Sequence, residues 1–340
     1  MHLVTVTGSG PRLRCCRQII FHFKSPPQQS SFMARIPQPN IAILGSLNID
    51  LIARVDHLPA RGETVSASGV EKRFGGKGAN QALAAARQGA QVTLIGCLGD
   101  DPDGRDYRNH LRREGVNCSS LNTVRGGTGT AFISVDALGE NQIVVVLGAN
   151  AALTEPAVKM QRARIAVAKL LLLQLEIPLE SAVDAIRIAN EARVPVILNA
   201  SPIRADFPWG EVTIDVLILN EPETIAVFGS ADPEEWKERL SGKRVHHLIT
   251  TRGGRSTLVI SKTSIHEVPA HPVTPVDTVG AGDTFAGVFV AHYAEGTAIE
   301  EAVRWANTAA AMSTLKPGGQ EGVPRRGDVQ STLTIAANAA

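Results

Sequence analysis

Residues 275–287 read PVDTVGAGDTFAG, with three small residues, Gly280, Ala281 and Gly282, directly before Asp283. Small residues let consecutive backbone N–H groups turn toward one point, and the start of a helix adds positive potential there. Such an arrangement is an anion hole, suited to a phosphoryl group in flight. Asp283 stands in the first turn of the expected helix. A carboxylate there either caps the helix or takes part in chemistry, and spacing alone leaves both open.

A second cluster lies two hundred residues upstream, where residues 74–82 read FGGKGANQA. Gly75 and Gly76 allow the backbone to approach a ligand closely. Lys77 can set a cation against phosphate or sugar oxygens. Asn80 carries both a donor and an acceptor on the first helical turn, useful to a hydroxyl. The stretch is not a G-x-x-x-x-G-K-[ST] phosphate loop, because no Ser or Thr follows Lys77. Read alone, it is equally a turn that starts a helix.

Further polar residues stand at the ends of apolar runs. Asn48 and Asp50 alternate after the run NIAILGS, so on extended backbone they share a face. An amide and a carboxylate side by side suit a vicinal diol, although the pair could also mark a turn. Glu176 follows the leucine-rich run at 169–175, and the carboxyl end of a buried parallel strand is where such sheets bind ligands. Asn220 and Glu223, in NEPE after another apolar run, make a helix N-cap with an early acid.

These groups need a scaffold, and the hydrophobic periodicity supplies one. Strands are expected at 40–46, 91–97, 169–175, 194–198, 216–219 and 247–251. Helices are expected from Gly76 to Gln88, at 103–114 with Asp103 as cap, at 179–191, 281–294 and 299–314. Residues 130–136 and 141–147 flank a turn and read as a hairpin, as do 257–260 and 264–268. Strands alternating with helices predict a mostly parallel sheet covered on both faces. The early hairpin does not fit that sheet and is expected to form a small separate lid.

Composition sets the outer bounds. The chain has 340 residues, 44% hydrophobic and 20% charged, enough for a large core. Its net charge of +1 and 4% aromatic content give no footprint for nucleic acid. The longest apolar run is too short to cross a bilayer. Cys15, Cys16, Cys97 and Cys118 show neither zinc-clip spacing nor a disulfide framework, which favours a reducing compartment. No Asp or Glu precedes Asp50, whereas Arg12, Arg14, Arg17, Lys24 and Arg35 are basic. That start reads as a disordered extension over 1–38, a transit peptide, or a start placed ahead of Met33. The domain is expected over 39–330, with a tail at 331–340. A cytoplasmic location is the simplest expectation, with mitochondrial or nuclear destinations left open by the extension.

The two glycine-rich motifs together resemble the ribokinase family of carbohydrate kinases, with DTVGAGD the specific element and GGKGAN its partner. The resemblance runs over about 40–324, and LGANAALT at 147–154 is nearest the ribokinase branch. It implies a Rossmann-like α/β domain with a β-sheet lid, and ATP-dependent phosphorylation of a sugar hydroxyl, ribose first among pentoses. Deoxyribose, another pentose and a nucleoside remain alternatives within the class. An inactive sugar sensor is the alternative outside it, against which Asp283 and its glycines argue.

By the same resemblance Asp283 is the base that takes the hydroxyl proton, and Gly280, Ala281 and Gly282 form the anion hole. Asn48, Asp50, Gly76, Lys77, Asn80 and Glu176 bind the sugar. Asn220, Thr251, Arg252, Gly253, Gly254, Arg255, Ser256, Gly282 and Asn307 bind ATP. Ser256 replaces the last glycine of the family's T-x-G-x-x-G loop. Asn220 and Glu223 are linked to Mg2+. Asp277, Val279, Ser313, Lys316, Gly318 and Gly322 surround a K+ site, with Gly322 where relatives often carry serine. The resemblance also implies a homodimer formed through the lid.

Overall fold

The computed structural model describes residues 40–339, and side chains only as far as residue 336. The basic extension, Cys15 and Cys16 therefore lie outside the described residues. All described residues belong to one compact unit, Pro37–Ala340.

In chain order the elements are β1 (Asn40–Leu44), β2 (Asn48–Arg54), β3 (Val70–Gly75), α1 (Lys77–Arg87), β4 (Gln91–Gly99), α2 (Pro102–Arg113), β5 (Asn117–Val124), β6 (Gly129–Val135), β7 (Asn141–Val146), α3 (Glu155–Lys159), α4 (Arg162–Ala166), β8 (Leu170–Gln174), α5 (Leu179–Glu191), β9 (Val196–Asn199) and β10 (Ile214–Asn220). They continue with α6 (Glu221–Phe228), α7 (Pro233–Arg239), β11 (Val245–Thr251), β12 (Ser256–Ser261), β13 (Ile265–Pro269), α8 (Ala281–Ala294), α9 (Ile299–Ser313) and α10 (Arg326–Ala339).

Nine strands form one sheet in the order β13-β12-β11-β10-β9-β8-β1-β4-β5. It is parallel from β11 to β5, and the β12–β13 hairpin extends one edge antiparallel. Alternation along β1 shows how both faces are covered. Ile41 and Ile43 pack with α1, α2, α8 and α9, whereas Ala42 and Leu44 join the core formed with α3 to α7. Strands buried on both faces explain the continuous apolar runs. Among the described residues no helix is long and apolar enough to cross a membrane.

The second sheet, β3-β2-β6-β7, is the expected lid. Its β6–β7 hairpin was legible in the sequence, but β2 and β3 were not. Both carry charged residues at short intervals, as in VEKRFG, and their burial is partial. The polar strand β5 (NCSSLNTV) was missed for a similar reason. Residues 48–54 are thus a strand rather than a turn, and β2 starts only four residues beyond the end of β1.

Two helix ends differ from expectation. Asp101, not Asp103, caps α2: its Oδ1 accepts from the backbone N–H of Gly104 at 2.7 Å, with Pro102 opening the helix. At the carboxyl end, α10 runs through most of the stretch expected as a tail.

Candidate active site

Helix α8 has Gly280 as its N-cap, at φ 75°, and no side chain caps it. That left-handed conformation favours glycine, and a Cβ there would lie 2.7 Å from the Cα of Gly319. The Asp283 carboxylate instead turns toward α1. Its Oδ2 accepts from Nδ2 of Asn80 at 3.0 Å and its Oδ1 from Nε2 of Gln81 at 2.9 Å. The capping alternative is thereby removed; no side chain accepts from the first turn, although the Ala281 N–H donates to the Thr278 carbonyl at 3.2 Å.

Close helix packing makes this contact possible. A Cβ at Gly287, one turn along α8 from Asp283, would fall 2.4 Å from the carbonyl oxygen of Gln81. The helices meet backbone against side-chain-free backbone, which brings both glycine-rich motifs to one place.

The expected sugar-binding residues gather around this point. Glu176 Oε2 accepts from Ser46 Oγ at 2.7 Å and from the Lys77 backbone N–H at 3.4 Å. Asn48 is buried, and its Oδ1 accepts from Nδ2 of Asn150 at 2.8 Å. Asn150 also clamps the backbone of Leu47 through both ends of its amide. Gly76 lies against the same strand, since a Cβ there would be 2.7 Å from the backbone nitrogen of Asn48.

Charge is concentrated in the same volume. Burial, then the carboxylates of Glu176, Asp283 and Glu321, push the pKa of Asp50 up to about 7. For Lys77, burial favours loss of its proton, but Asp283, Glu176 and Glu223 together raise its pKa. Lys77, half-buried, is thus held charged by the acids around it.

Asn80 is oriented from behind. Its Oδ1 accepts from Nε2 of Gln320 at 2.8 Å, the same nitrogen that donates to the Tyr107 hydroxyl at 2.8 Å. Tyr107 donates to the carbonyl of Gly75 at 2.6 Å, and its ring stacks on Phe74 of β3. Gln320, Gln81, Tyr107 and Asn150 were not singled out in the sequence. The available signal was a long amide among small or apolar neighbours, as in GGQEG, since a buried polar group is the informative exception.

Two cavities adjoin at Asn220, Thr251, Gly282 and Phe285. The smaller, about 150 Å³, includes Lys77, Glu223, Gly280 and Asp283 in its wall. The larger, about 680 Å³, has a size suited to a nucleotide. Arg252, Gly253, Gly254, Arg255 and Asn307 border it together with Ala281. Ser256 does not: it opens β12, is buried, and bonds Glu267 at 2.5 Å while Arg252 donates to its hydroxyl. The Ser256 departure therefore falls in the strand, and the turn before it is made by Gly253, at φ 62°. Asn307 spends its amide internally, accepting from Thr257 at 2.7 Å and donating to the carbonyl of Pro269 at 3.0 Å.

Asn220 and Glu223 form a full capping box at the start of α6, with reciprocal bonds of 2.8 and 2.9 Å. Asp277 accepts from the backbone N–H of Val279 at 3.0 Å and of Gly318 at 2.8 Å, tying the anion-hole loop to residues 316–322. A Cβ at Gly322 would fall 2.2 Å from the Ser313 carbonyl oxygen, so this loop is closed around a glycine.

The profile of the pfkB family carbohydrate kinase matches residues 38–326. The chain belongs to that family. As a carbohydrate kinase it is 36% identical to the ribokinase of Haemophilus influenzae, covering 88% of this chain and 99% of the relative. It is 38% identical to the ribokinase of Bacillus subtilis, over 87% and 99%. A deoxyribokinase of Salmonella typhi is 31% identical, over 84% and 95%. Among solved structures, the ribokinase of Arabidopsis thaliana complexed with ribose and ATP is similar at TM-score 0.80 and 29% identity, covering 87% of this kinase and 99% of that chain.

Proposed function

We propose that this kinase transfers the γ-phosphoryl group of ATP to the 5-hydroxyl of D-ribose, giving ribose 5-phosphate and ADP. The observation that carries the reading is the bond from Asn80 to Asp283, which lines the smaller cavity beside Gly282, a residue that both cavities share. It sets a carboxylate beside the sugar-binding group and at the uncapped start of α8. ATP lies in the larger cavity with its γ-phosphate toward Gly282. Asn48, Asp50, Asn80 and Glu176 hold the sugar hydroxyls, and Lys77 faces the transferred group.

Phosphoryl transfer passes through a loose transition state, so the hydroxyl proton leaves late and a weak base suffices. Asp283 takes that proton, and the N–H groups of the first turn of α8 receive the charge on the phosphoryl oxygens.

Metal requirements follow from the donors. Among the described residues no group of three or more His, Cys, Asp or Glu could hold an ion by itself. Glu223 brings to the small cavity a carboxylate with one oxygen outside the capping box, whereas the Asn220 oxygen already accepts from the Glu223 N–H. That suits Mg2+ carried mainly by ATP phosphates and water, which neutralises phosphate charge. Both oxygens of Asp277 already accept backbone N–H groups, so the loop would offer K+ chiefly carbonyl oxygens, including that of Ser313.

The lid supports a homodimer. Ile143, Val144, Val145 and Val146 of β7 are all exposed, between 47% and 62%, as is Phe132 on β6. A second copy would cover this apolar edge. A cytoplasmic location is consistent with the free thiols Cys97 and Cys118.

Measuring ADP release over a panel of pentoses, hexoses and nucleosides tests the assignment. Ribose should give the highest kcat/KM. Losing a hydrogen-bonded hydroxyl costs about 1–3 kcal/mol, so 2-deoxyribose should be poorer. A higher kcat/KM for 2-deoxyribose, fructose or adenosine would overturn it.

A further inference from the structure

Behind Asp283 lies a run of buried amides, of which only Asn199 reaches the wall of the smaller cavity. Gln81 is fully buried. Its Nε2 donates to Oδ1 of Asp283 at 2.9 Å and to Oδ1 of Asn199 at 3.0 Å. Its Oε1 accepts from Nε2 of Gln174 at 2.5 Å. Asn199 in turn donates to the carbonyl of Ile218 at 3.1 Å. Gln174 ends β8, Asn199 ends β9 and Ile218 lies in β10, so the ladder crosses the carboxyl ends of three adjacent parallel strands.

The ladder admits one orientation. Gln81 has two N–H protons and two acceptors, and Gln174 donates to its oxygen. Flipping the amide would set its Oε1 against the Asp283 carboxylate and the Asn199 amide oxygen, adding to the one ladder atom already without a partner, Oε1 of Gln174. A carboxylate rotates easily about its terminal bond. Asn80 holds only one oxygen of Asp283, which leaves that rotation soft. Gln81 takes the other oxygen, and the sheet anchors Gln81.

We infer that Gln81 is a positioning residue for phosphoryl transfer, with the Gln174–Gln81–Asn199 ladder fixing the rotation of the Asp283 carboxylate toward the acceptor hydroxyl. The inference rests on Asp283 acting as the base. It separates Gln81 from the sugar-binding Asn80, its neighbour in the chain, and gives Gln174 an indirect part in the reaction.

The test is a set of four proteins assayed beside wild type for kcat, both KM values and Tm: Gln81→Met, Gln174→Met, Asp283→Asn and the Gln81→Met/Asp283→Asn double variant. Gln81→Met should lower kcat about tenfold to hundredfold, as expected for a misplaced catalytic group, with KM values within about twofold of wild type. Gln174→Met, which leaves Asp283 untouched, should lower kcat in the same sense but less. In the Asp283→Asn background, Gln81→Met should cost nothing further. Wild-type turnover in Gln81→Met, or the same fractional loss in both backgrounds, would overturn the inference while leaving the base assignment standing. Should Gln81→Met fail to fold, Gln174→Met decides: a kcat loss at unchanged KM supports the ladder, and wild-type kcat overturns it. Wild-type turnover in Asp283→Asn would instead remove the base assignment, and the inference with it.

Discussion

Nδ2 of Asn80 donates to Oδ2 of Asp283 at 3.0 Å, a bond between side chains 203 residues apart. Each belongs to a glycine-rich motif that has a bland reading alone. Joined, they bring an amide and a carboxylate to one place, the pair that the proposed transfer to a sugar hydroxyl would use.

The junction depends on the crossing of α1 and α8. A Cβ added at Gly287 would meet the Gln81 carbonyl oxygen at 2.4 Å and Cβ of Ala84 at 2.6 Å. Gly287→Ala should therefore push the helices apart, destabilising the fold by about 1–3 kcal/mol. Because the same shift stretches the bonds to Asp283, kcat should fall in the protein that remains folded. Urea unfolding together with kcat measures both, and an unchanged unfolding midpoint would show that the crossing is looser than described.

Asp50 is expected to trade stability for binding. Its folded pKa stands at about 7, raised from 3.8 by burial first and by Glu176, Asp283 and Glu321 after it. The folded state thus holds a proton that the unfolded chain has released, so this contribution to stability is lost as pH rises from about 4 to about 7. Asp50→Asn should be more stable than wild type above about pH 7, by on the order of 1–3 kcal/mol, and the difference should vanish near pH 4. The same variant should bind ribose more weakly, by about tenfold, because an ionised oxygen makes the stronger bond to a hydroxyl. Melting curves across pH and a KM determination test the two halves separately. A Tm gain that does not depend on pH would contradict the assigned cause.

The loop containing Gly318 and Gly319 packs on Gly280, and Asp277 ties the two segments together. Replacing K+ by tetramethylammonium at constant ionic strength should lower kcat, with little change in sugar affinity. Asp277→Ala should act in the same direction and blunt the response to K+. Turnover indifferent to the swap would count against a monovalent-cation role for this loop.

Much of this architecture was legible beforehand, and the failures share a cause. The inner parallel strands announced themselves as apolar runs because both faces are buried, as Ile41 to Leu44 illustrate, whereas the edge strand β5 did not. Strand β3 did not, because Glu71, Lys72 and Arg73 give it no apolar face to read. Asp283, Asn80 and Glu176 were visible through their setting in motifs. Gln81 and Gln320 were not, since a glutamine acquires meaning only from what it meets across the fold. Gln174 came closest to being readable, as an amide interrupting the leucines of a buried strand. That Asp283 does not cap α8, and that Asn220 and Glu223 form a capping box, is read only from where the side chains point.

The central claim is that Asp283 accepts the proton during transfer. Asn at this position preserves size and can still take part in hydrogen bonding with Asn80 and Gln81, but it cannot accept the proton as a carboxylate does. The decisive measurement is kcat of Asp283→Asn with ribose and ATP, with Tm read on the same preparation. General-base loss costs roughly 10²- to 10⁴-fold, so kcat should fall by about that range while Tm and both substrate affinities stay near wild type. Turnover close to wild type in the folded variant would contradict the account.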